Sequence, residues 1–307
     1  MGVPIKTYSK VLLIDIGGTN IRYAIAYSDS NEISCINKKA FNETTFYKNL
    51  DGLIKKHNID TLIMSVAGPK IDNSITMTNK NFSFNQDNLK EKFKLKECYL
   101  LNDWESIAYS YSYIKESIKI IQNGKTYNNN LLFFGPGTGL GAAFSMNEIV
   151  LPTELGNTKN FIERLKQNFK NVNFEASKLE DIVSGSGISK IYETLAHEKL
   201  SAEEIFKKFI DKEPDAIFVM NGFIKSLSQT LSDLTLSFLP GKGILLAGSL
   251  SRSIYRHFDE QNFFKHFINN NTGVHFDILK NTPIGVITKK RTPLYGNLAF
   301  YKNLNKI

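Results

Sequence analysis

The sequence predicts an α/β fold, large enough for one large or two medium domains. Apolar runs of strand length recur along the chain, most of them bounded by Gly, Pro, Asn or Asp, and segments with helical periodicity lie between them. The 307 residues, of which 42% are hydrophobic, suffice to bury a full core. The predicted strands are Val11–Ile14, Ile21–Tyr27, Leu62–Val66, Leu131–Phe134 and Ile244–Ala247.

Two helices are predicted from apolar residues at three- and four-residue steps. The longer one, which Pro240-Gly241 should end, has its stripe at Ile217, Met220, Ile224, Leu227, Leu231, Leu234 and Phe238. Its opposite face is too polar for a membrane span. The second helix is expected to begin near Glu105, directly after "LLND", with one side formed by Ile107, Tyr111, Ile114 and Ile118.

Composition argues for a cytoplasmic protein that binds neither nucleic acid nor membrane. Cys35 and Cys98 are the only cysteines, and their wide separation suits neither a disulfide framework nor a zinc site. The N-terminus lacks an apolar stretch of signal-peptide length before Asp15. The net charge of +8 is spread along the chain without a dense basic block, which is typical of a solvated surface.

Three glycine-containing turns follow apolar strands. They are Asp15–Asn20 ("DIGGTN"), Gly135–Gly141 ("GPGTGLG") and the shorter Ala247–Ser249. Glycine lets backbone N–H groups approach a ligand closely, so such turns suit a polyphosphate. Neither of the first two is a Walker A loop or a G-x-G-x-x-G loop before a helix. The first leads into another apolar run, which predicts the turn of a β-hairpin.

Carboxylates near these turns are candidates for chemistry. Asp103 stands between a strand-like run and a helix, where it is either the N-cap or a general base. Glu154 in "LPTELGN" and Glu180 in "KLEDIVSGSG" are either solvated or acceptors for sugar hydroxyls. None of the five histidines lies in these segments, so a histidine nucleophile or a metal cluster is poorly supported.

Eight segments, in this order, resemble the bacterial-type ATP-dependent glucokinase family of the sugar kinase, actin and chaperone ATPase superfamily. They are "IDIGGTNIR", "VAGPK…MTNKNFSF", "LLNDWESIA", "FFGPGTGLGAAF", "LPTELGN", "LEDIVSGSGISKIYE", "LLAGSLSR" and "TPLYGNLAF". The resemblance implies two α/β domains with mixed sheets of the ribonuclease H-like, actin-like ATPase type and a cleft between them. Residues 1–113, completed by a C-terminal helix at 291–307, would form the small domain, and 114–290 the large one.

The same resemblance implies roles for individual residues. Asp103 would be the base that deprotonates the sugar 6-hydroxyl for in-line attack on the γ-phosphorus of ATP. The sugar would contact Asn102, Glu154, Asn157 and Glu180. The phosphates would be held by Asp15, Gly17, Gly18 and Thr19, and from the other domain by Thr138 and Gly139, with Gly248 beside the nucleoside. The cofactors would be ATP and Mg²⁺, the metal held by the phosphates and reaching Asp15 through water. A homodimer is a family expectation.

The sequence departs from the family pattern at "ELGN", where the family usually has Glu-Gly-Gly-His. Asn157 therefore replaces a sugar-contacting histidine, and Leu155 is bulkier than glycine. A lost neutral hydrogen bond is worth about 0.5–1.5 kcal/mol, so we expect a raised KM for glucose. Ser249 and Phe82 also replace a family glycine and tryptophan. Two alternatives stay open: a kinase for another hexose or an amino sugar, and a non-catalytic sugar-binding pseudokinase or regulator.

Overall fold

The structure is a computed structural model that describes residues 9–77, 80–257, 259–268 and 271–305. Thr78 and Asn79 of the "MTNKNFSF" segment, and residues 1–8 and 306–307 of the predicted small domain, lie outside the described residues. The chain divides into two compact units. The first unit comprises Met1–Glu116 and Lys290–Ile307, and the second comprises Ser117–Lys289.

The strands are β1 Lys10–Ile16, β2 Asn20–Tyr27, β3 Ser34–Ala40, β4 Thr61–Val66, β5 Lys70–Ile71, β6 Ser74–Thr76, β7 Ser83–Asn85, β8 Glu97–Asn102, β9 Ile118–Gln122, β10 Leu131–Pro136, β11 Leu140–Met146, β12 Ile149–Thr153, β13 Gly243–Leu246 and β14 Ile284–Ile287. The helices are α1 Glu43–His57, α2 Gln86–Lys92, α3 Asp103–Tyr109, α4 Tyr111–Ile114, α5 Ile162–Lys166, α6 Gly185–Ala196, α7 Ala202–Ile210, α8 Pro214–Phe238, α9 Ser249–Ile254, α10 Glu260–Ile268, α11 Gly273–Asn281 and α12 Thr292–Asn305.

The first unit is built on a five-stranded mixed sheet with the strand order β3-β2-β1-β4-β8. β1 pairs antiparallel with β2 and parallel with β4, and β4 pairs parallel with β8. Leu12 and Ile14 of β1 pack into one core with α1, whereas Val11 and Leu13 pack into another with α12. Burial on both faces explains why this strand reads as an unbroken apolar run.

The second unit is built on a six-stranded mixed sheet with the strand order β12-β11-β10-β13-β14-β9. β10, β13 and β14 run parallel, and the other pairs are antiparallel. The long helix α8 begins where the Glu213 side chain accepts hydrogen bonds from the N–H groups of Asp215 and Ala216. It ends at Leu239, whose backbone is left-handed (φ 46°), and its apolar face packs into the core of this unit.

All five predicted strands and the long helix are confirmed in position, but the second predicted helix is wrong in extent. α3 ends at Tyr109, where the hydroxyl of Ser110 donates a hydrogen bond of 2.6 Å to the carbonyl of Ile107. The short helix α4 and a 3₁₀ turn follow, and Ile118 lies in β9, paired with Ile287. The apolar spacing of this segment fits a helix, yet pairing with β14 takes its last residues into a sheet.

Among the residues that the structure describes, no helix is long and apolar enough to cross a membrane.

Candidate active site

The first glycine-containing loop is the tip of the β1–β2 hairpin, as predicted. Ile16 pairs with Ile21, and the N–H of Gly17 donates a hydrogen bond of 2.9 Å to the carbonyl of Asn20. Gly17 and Gly18 are half-buried and Thr19 is exposed. Two strands therefore present a short turn whose central residues remain accessible to a ligand.

Asp15 is buried in β1 and faces Arg22 of β2, its cross-strand neighbour. The Arg22 Nη1 donates a hydrogen bond of 2.7 Å to the Asp15 Oδ2. Burial raises the pKa of Asp15, while the positive charge and the hydrogen bond of Arg22 act in the opposite direction. Arg22 thus favours the ionised form of a carboxylate whose burial favours the neutral form.

We expect Arg22→Met to lower the free energy of unfolding by about 2 kcal/mol at neutral pH, because it leaves a buried carboxylate without its ionic partner. An acid whose folded-state pKa is raised loses stability as pH rises through the interval between its unfolded and folded pKa. Removing Arg22 raises the folded-state pKa of Asp15 further. The deficit should therefore be small in acid and grow with pH, as measured by urea denaturation between about pH 5 and pH 8.

Arg22→Lys, which keeps the charge, should recover most of this stability. A deficit in Arg22→Met that stays constant over the pH range would show that Asp15 is not the group affected.

Asp103 is the first residue of α3, and Asn102, not Asp103, is its N-cap. The Asn102 Oδ1 accepts hydrogen bonds from the N–H groups of Trp104 (2.8 Å) and Glu105 (3.3 Å). The Glu105 carboxylate in turn accepts one from the Asn102 N–H (3.1 Å), which completes a capping box. The Asn102 Nδ2 donates to the carbonyl of Gly68 at 2.8 Å. These bonds fix the position of Asp103 on a rigid element.

The C-terminal helix α12 ties α3 to β1. Buried Asn297 donates a hydrogen bond of 2.7 Å from its Nδ2 to the carbonyl of Ile14, and its Oδ1 accepts one of 2.8 Å from the Ser106 hydroxyl. The Ser106 Oγ also lies 2.6 Å from the carbonyl oxygen of Pro293, so its single hydrogen is shared between the two acceptors. The strand that leads to the first loop and the helix that begins at Asp103 thus share one support.

The strand register brings the predicted residues of the first unit to one edge of its sheet. Ile16 of β1 pairs with Val66 of β4, and Val66 pairs with Asn102 of β8. All three strands are parallel, so Gly17 and Asp103 follow carboxyl ends that are separated by two strand spacings, about 10 Å. This is the edge where ligands bind in open α/β sheets.

In the second unit, the "GPGTG" loop is held by the N-terminus of α6. The N–H of Gly185 donates to the carbonyl of Gly137 at 2.7 Å, and the hydroxyl of Ser186 donates to the carbonyl of Thr138 at 2.6 Å. Thr138 lies at the tip of the loop and is exposed. The "VSGSG" segment therefore stabilises this loop through hydrogen bonds to its carbonyl groups.

Glu180 lies against the same loop. Its Oε2 accepts a hydrogen bond of 3.1 Å from the N–H of Leu140, and a Cβ on Gly139 would lie only 2.6 Å from this oxygen. Glycine at 139 thus allows the close approach of the Glu180 carboxylate. Gly248 stands at the N-cap of α9 with φ 102°, and a Cβ there would lie 3.4 Å from the carbonyl oxygen of Pro136. Glu180, predicted to bind the sugar, therefore lies against Gly139, predicted to bind phosphate. Gly248, predicted to lie beside the nucleoside, is close to Pro136 of the same loop.

The "ELGN" segment joins this group through Lys178. The Asn157 Nδ2 donates a hydrogen bond of 2.9 Å to the Glu154 Oε2, and the Asn157 Oδ1 accepts one of 3.2 Å from the Lys178 Nζ. Lys178 also forms an ion pair with Glu180. Leu155 is half-buried and packs against the apolar core of the unit, so its bulk is directed inward.

Among the described residues, no group of three or more His, Cys, Asp or Glu side chains could hold a metal ion. Asp15 offers one carboxylate beside the first loop, and a Mg²⁺ held mainly by substrate phosphates needs only one or two carboxylates from the protein.

Arg22, Lys178 and Ser186 are site residues that the sequence interpretation missed. Arg22 lies in the motif "IDIGGTNIR" and Ser186 in "LEDIVSGSGISKIYE", so the sequence placed both next to candidate site residues. Lys178 stands two residues before Glu180, but its contact with Asn157 depends on the tertiary fold.

The comparisons with known proteins agree over nearly the whole chain. A family described as Glucokinase matches residues 12–304. A glucokinase from Colwellia psychrerythraea is 29% identical over 322 residues, which cover 94% of this chain and 95% of the relative.

Two solved structures show the same fold. The glucokinase from an Antarctic psychrotroph aligns with a TM-score of 0.75 at 23% identity, over 97% of this chain and 100% of that one. The glucokinase from Balamuthia mandrillaris in complex with glucose aligns with a TM-score of 0.80 at 18% identity, over 98% of this chain and 95% of that one. The predicted fold class, with mixed sheets of the actin-like ATPase type, is confirmed.

Proposed function

Since the chain belongs to the glucokinase family, we propose that it transfers the γ-phosphoryl group of ATP to the 6-hydroxyl of glucose, giving glucose 6-phosphate and ADP. The observation that carries the proposal is the family match over residues 12–304, which spans every motif assigned a role here. The intact first loop and Asp103, at one edge of one sheet, support a catalytic protein over a non-catalytic sugar binder.

Asp103 is assigned as the general base. It accepts the proton of the sugar 6-hydroxyl as that oxygen attacks the γ-phosphorus, and the bond from phosphorus to the ADP oxygen breaks. The capping box of α3 supports this role, because positioning supplies much of the rate enhancement in phosphoryl transfer.

The phosphates of ATP are assigned to the glycine loops. Gly17, Gly18 and Thr19 present the hairpin turn, Thr138 and Gly139 present the second loop, and Gly248 lies next to the nucleoside. Mg²⁺, when bound, neutralises charge on the phosphates. Asp15 is assigned as the acidic side chain that would interact with that ion through water, and the charge of Arg22 opposes the effect of burial on the pKa of Asp15.

Glucose hydroxyls are assigned to Glu154, Asn157, Glu180 and Asn102. The two carboxylates can each accept hydrogen bonds from neighbouring hydroxyls. Asn102 already uses its Oδ1 and one N–H in capping α3 and in binding Gly68, so one amide N–H is left for the sugar. Its main contribution is to hold Asp103.

Other parts of the assignment are also proposals. We assign the first unit as the small domain and the second as the large domain. The free cysteines, Cys35 exposed and Cys98 buried, support a reducing compartment such as the cytoplasm. Association into a homodimer is proposed from the family alone.

An assay that couples ADP release to a visible signal tests the function over a sugar panel: glucose, mannose, fructose, galactose and glucosamine. Glucose should give the highest kcat/KM, with a KM raised by the change from histidine to Asn157. A higher kcat/KM for another sugar would replace glucose as the substrate. If none of the sugars led to ADP release while the fluorescence of Trp104 still responded to sugar, the protein would be a non-catalytic binder.

A further inference from the structure

Lys178 connects three of the four residues assigned to the sugar. Its Nζ lies 3.2 Å from the Asn157 Oδ1 and forms an ion pair with Glu180, while Asn157 donates to Glu154 at 2.9 Å. Glu180 is bound on its other side by the N–H of Leu140. A single ammonium group is therefore the link between the "ELGN" and "LED" segments.

The chemistry of lysine determines how Asn157 is oriented. An ammonium group can only donate hydrogen bonds, so Asn157 must turn its carbonyl oxygen toward Lys178 and its NH₂ group toward Glu154. A neutral side chain at 178 would remove one of the two contacts that orient the amide and leave only the hydrogen bond to Glu154. The Glu180 side chain is 19% exposed, so its oxygens are also directed mainly by Lys178 and Leu140.

Lys178 also reduces the net negative charge of the cluster of carboxylates around it. Glu154 and Glu180 carry two negative charges, Lys178 one positive charge, and adjacent Asp181 a further negative one. The hydrogen bond with Glu180 raises the pKa of Lys178, so the ammonium stays charged over the range in which sugars are assayed. Its positive charge opposes the attraction of these carboxylates for a cationic ligand.

We propose that Lys178 is a positioning residue that fixes Asn157 and Glu180 for a neutral hexose and disfavours a protonated amino sugar. This inference rests on the proposed function, because it concerns the sugar that the kinase selects.

The test compares the wild-type protein with Lys178→Met, Lys178→Arg and the control Lys166→Met. Lys166 is matched to Lys178: both side chains are 35% exposed, and both pair with a glutamate in the second unit. KM and kcat are measured for glucose, and glucosamine is measured as a substrate or competing inhibitor. Assays run at about pH 6, where the amine of glucosamine is protonated, and at about pH 9, where it is neutral.

Lys178→Met should raise the KM for glucose about five- to tenfold with kcat within about threefold, and Lys178→Arg should recover part of this loss. At about pH 6 the affinity for glucosamine relative to glucose should rise about three- to tenfold, and at about pH 9 it should not change. Lys166→Met should match the wild type.

An equal change for both sugars at both pH values would assign Lys178 a purely structural role and overturn the inference, as would unchanged kinetics in Lys178→Met. If the wild-type protein phosphorylates glucose in either case, the proposed function stands. A wild-type protein inactive on every sugar would overturn both.

Discussion

Replacing Asp103 with asparagine should lower kcat for glucose by about 10²–10⁴-fold and leave the KM within a few-fold, because the amide keeps the shape of the side chain but cannot take the proton of the 6-hydroxyl. Alanine should lower kcat by a similar factor. The decrease should appear in the assay of ADP release at saturating glucose and ATP. The acidic limb of the pH profile, which reports ionisation of the base, should disappear with it.

The matched control is Glu43→Gln. Glu43 is the first residue of α1, as Asp103 is of α3, so both changes remove one negative charge from the N-terminus of a helix in the first unit. Such a charge contributes about 0.3–1 kcal/mol to stability, which both variants should lose, and Glu43→Gln additionally loses the ion pair of Glu43 with Lys80. Only Asp103→Asn should lose activity. A kcat within threefold of the wild type would remove Asp103 from the role of base.

The same comparison separates catalysis from binding. Trp104, the only tryptophan, follows Asp103 directly, so its fluorescence should respond when glucose binds. Asp103→Asn should show a glucose titration close to that of the wild type. If the fluorescence response vanished together with activity, Asp103 would be a binding residue, and the loss of kcat would need another cause.

The parts of the fold that could be predicted from the sequence are those buried on both faces. β1 and β10 are entirely or almost entirely buried, so their apolar runs stand out. β3, in contrast, pairs only with β2 at the edge of its sheet, and all seven of its residues, "SCINKKA", are exposed. It carries neither an apolar run nor an alternation, because no face of it meets a core.

The candidate site follows the same division between local and distant information. The loops were predictable because glycines mark them. The capping box has a local signal too, Asn102 followed three residues later by Glu105, but the candidate N-cap named from the sequence is Asp103 instead. The approach of Glu180 to Gly139, about forty residues apart, was not, because it depends on α6 bracing the loop. Lys178 was missed for the same reason, since its role depends on Asn157 and Glu180 being brought together.

Gly296 should tolerate no side chain, and Gly296→Ala should lower the free energy of unfolding of the first unit by about 3 kcal/mol or more. A Cβ at this position in α12 would lie 1.6 Å from the backbone oxygen of Ser106 in α3 and 2.5 Å from its carbonyl carbon. A backbone group cannot rotate away as a side chain can, so the two helices must separate. Urea denaturation followed by Trp104 fluorescence reports on this unit directly.

Gly52→Ala is the control, because Gly52 also lies in a helix of the first unit and a Cβ there would meet no atom within 4 Å. It should raise stability by about 0.5–1 kcal/mol, since alanine favours a helix more than glycine does. The same substitution is thus expected to have opposite signs at the two positions. Equal effects would show that α12 and α3 do not pack as closely as Gly296 requires.

Activity connects this packing to the chemistry. Ser106 lies three residues after Asp103, and its hydroxyl bonds both Pro293 and Asn297 of α12. Moving α3 away from α12 therefore displaces the base, and a displacement of about 1 Å can lower a rate about 10²-fold. Gly296→Ala should therefore have a lower kcat than the wild type even under conditions in which most of the protein is folded. Gly52→Ala should keep the wild-type kcat. Full kcat in folded Gly296→Ala would mean that Asp103 is positioned by its own capping box alone.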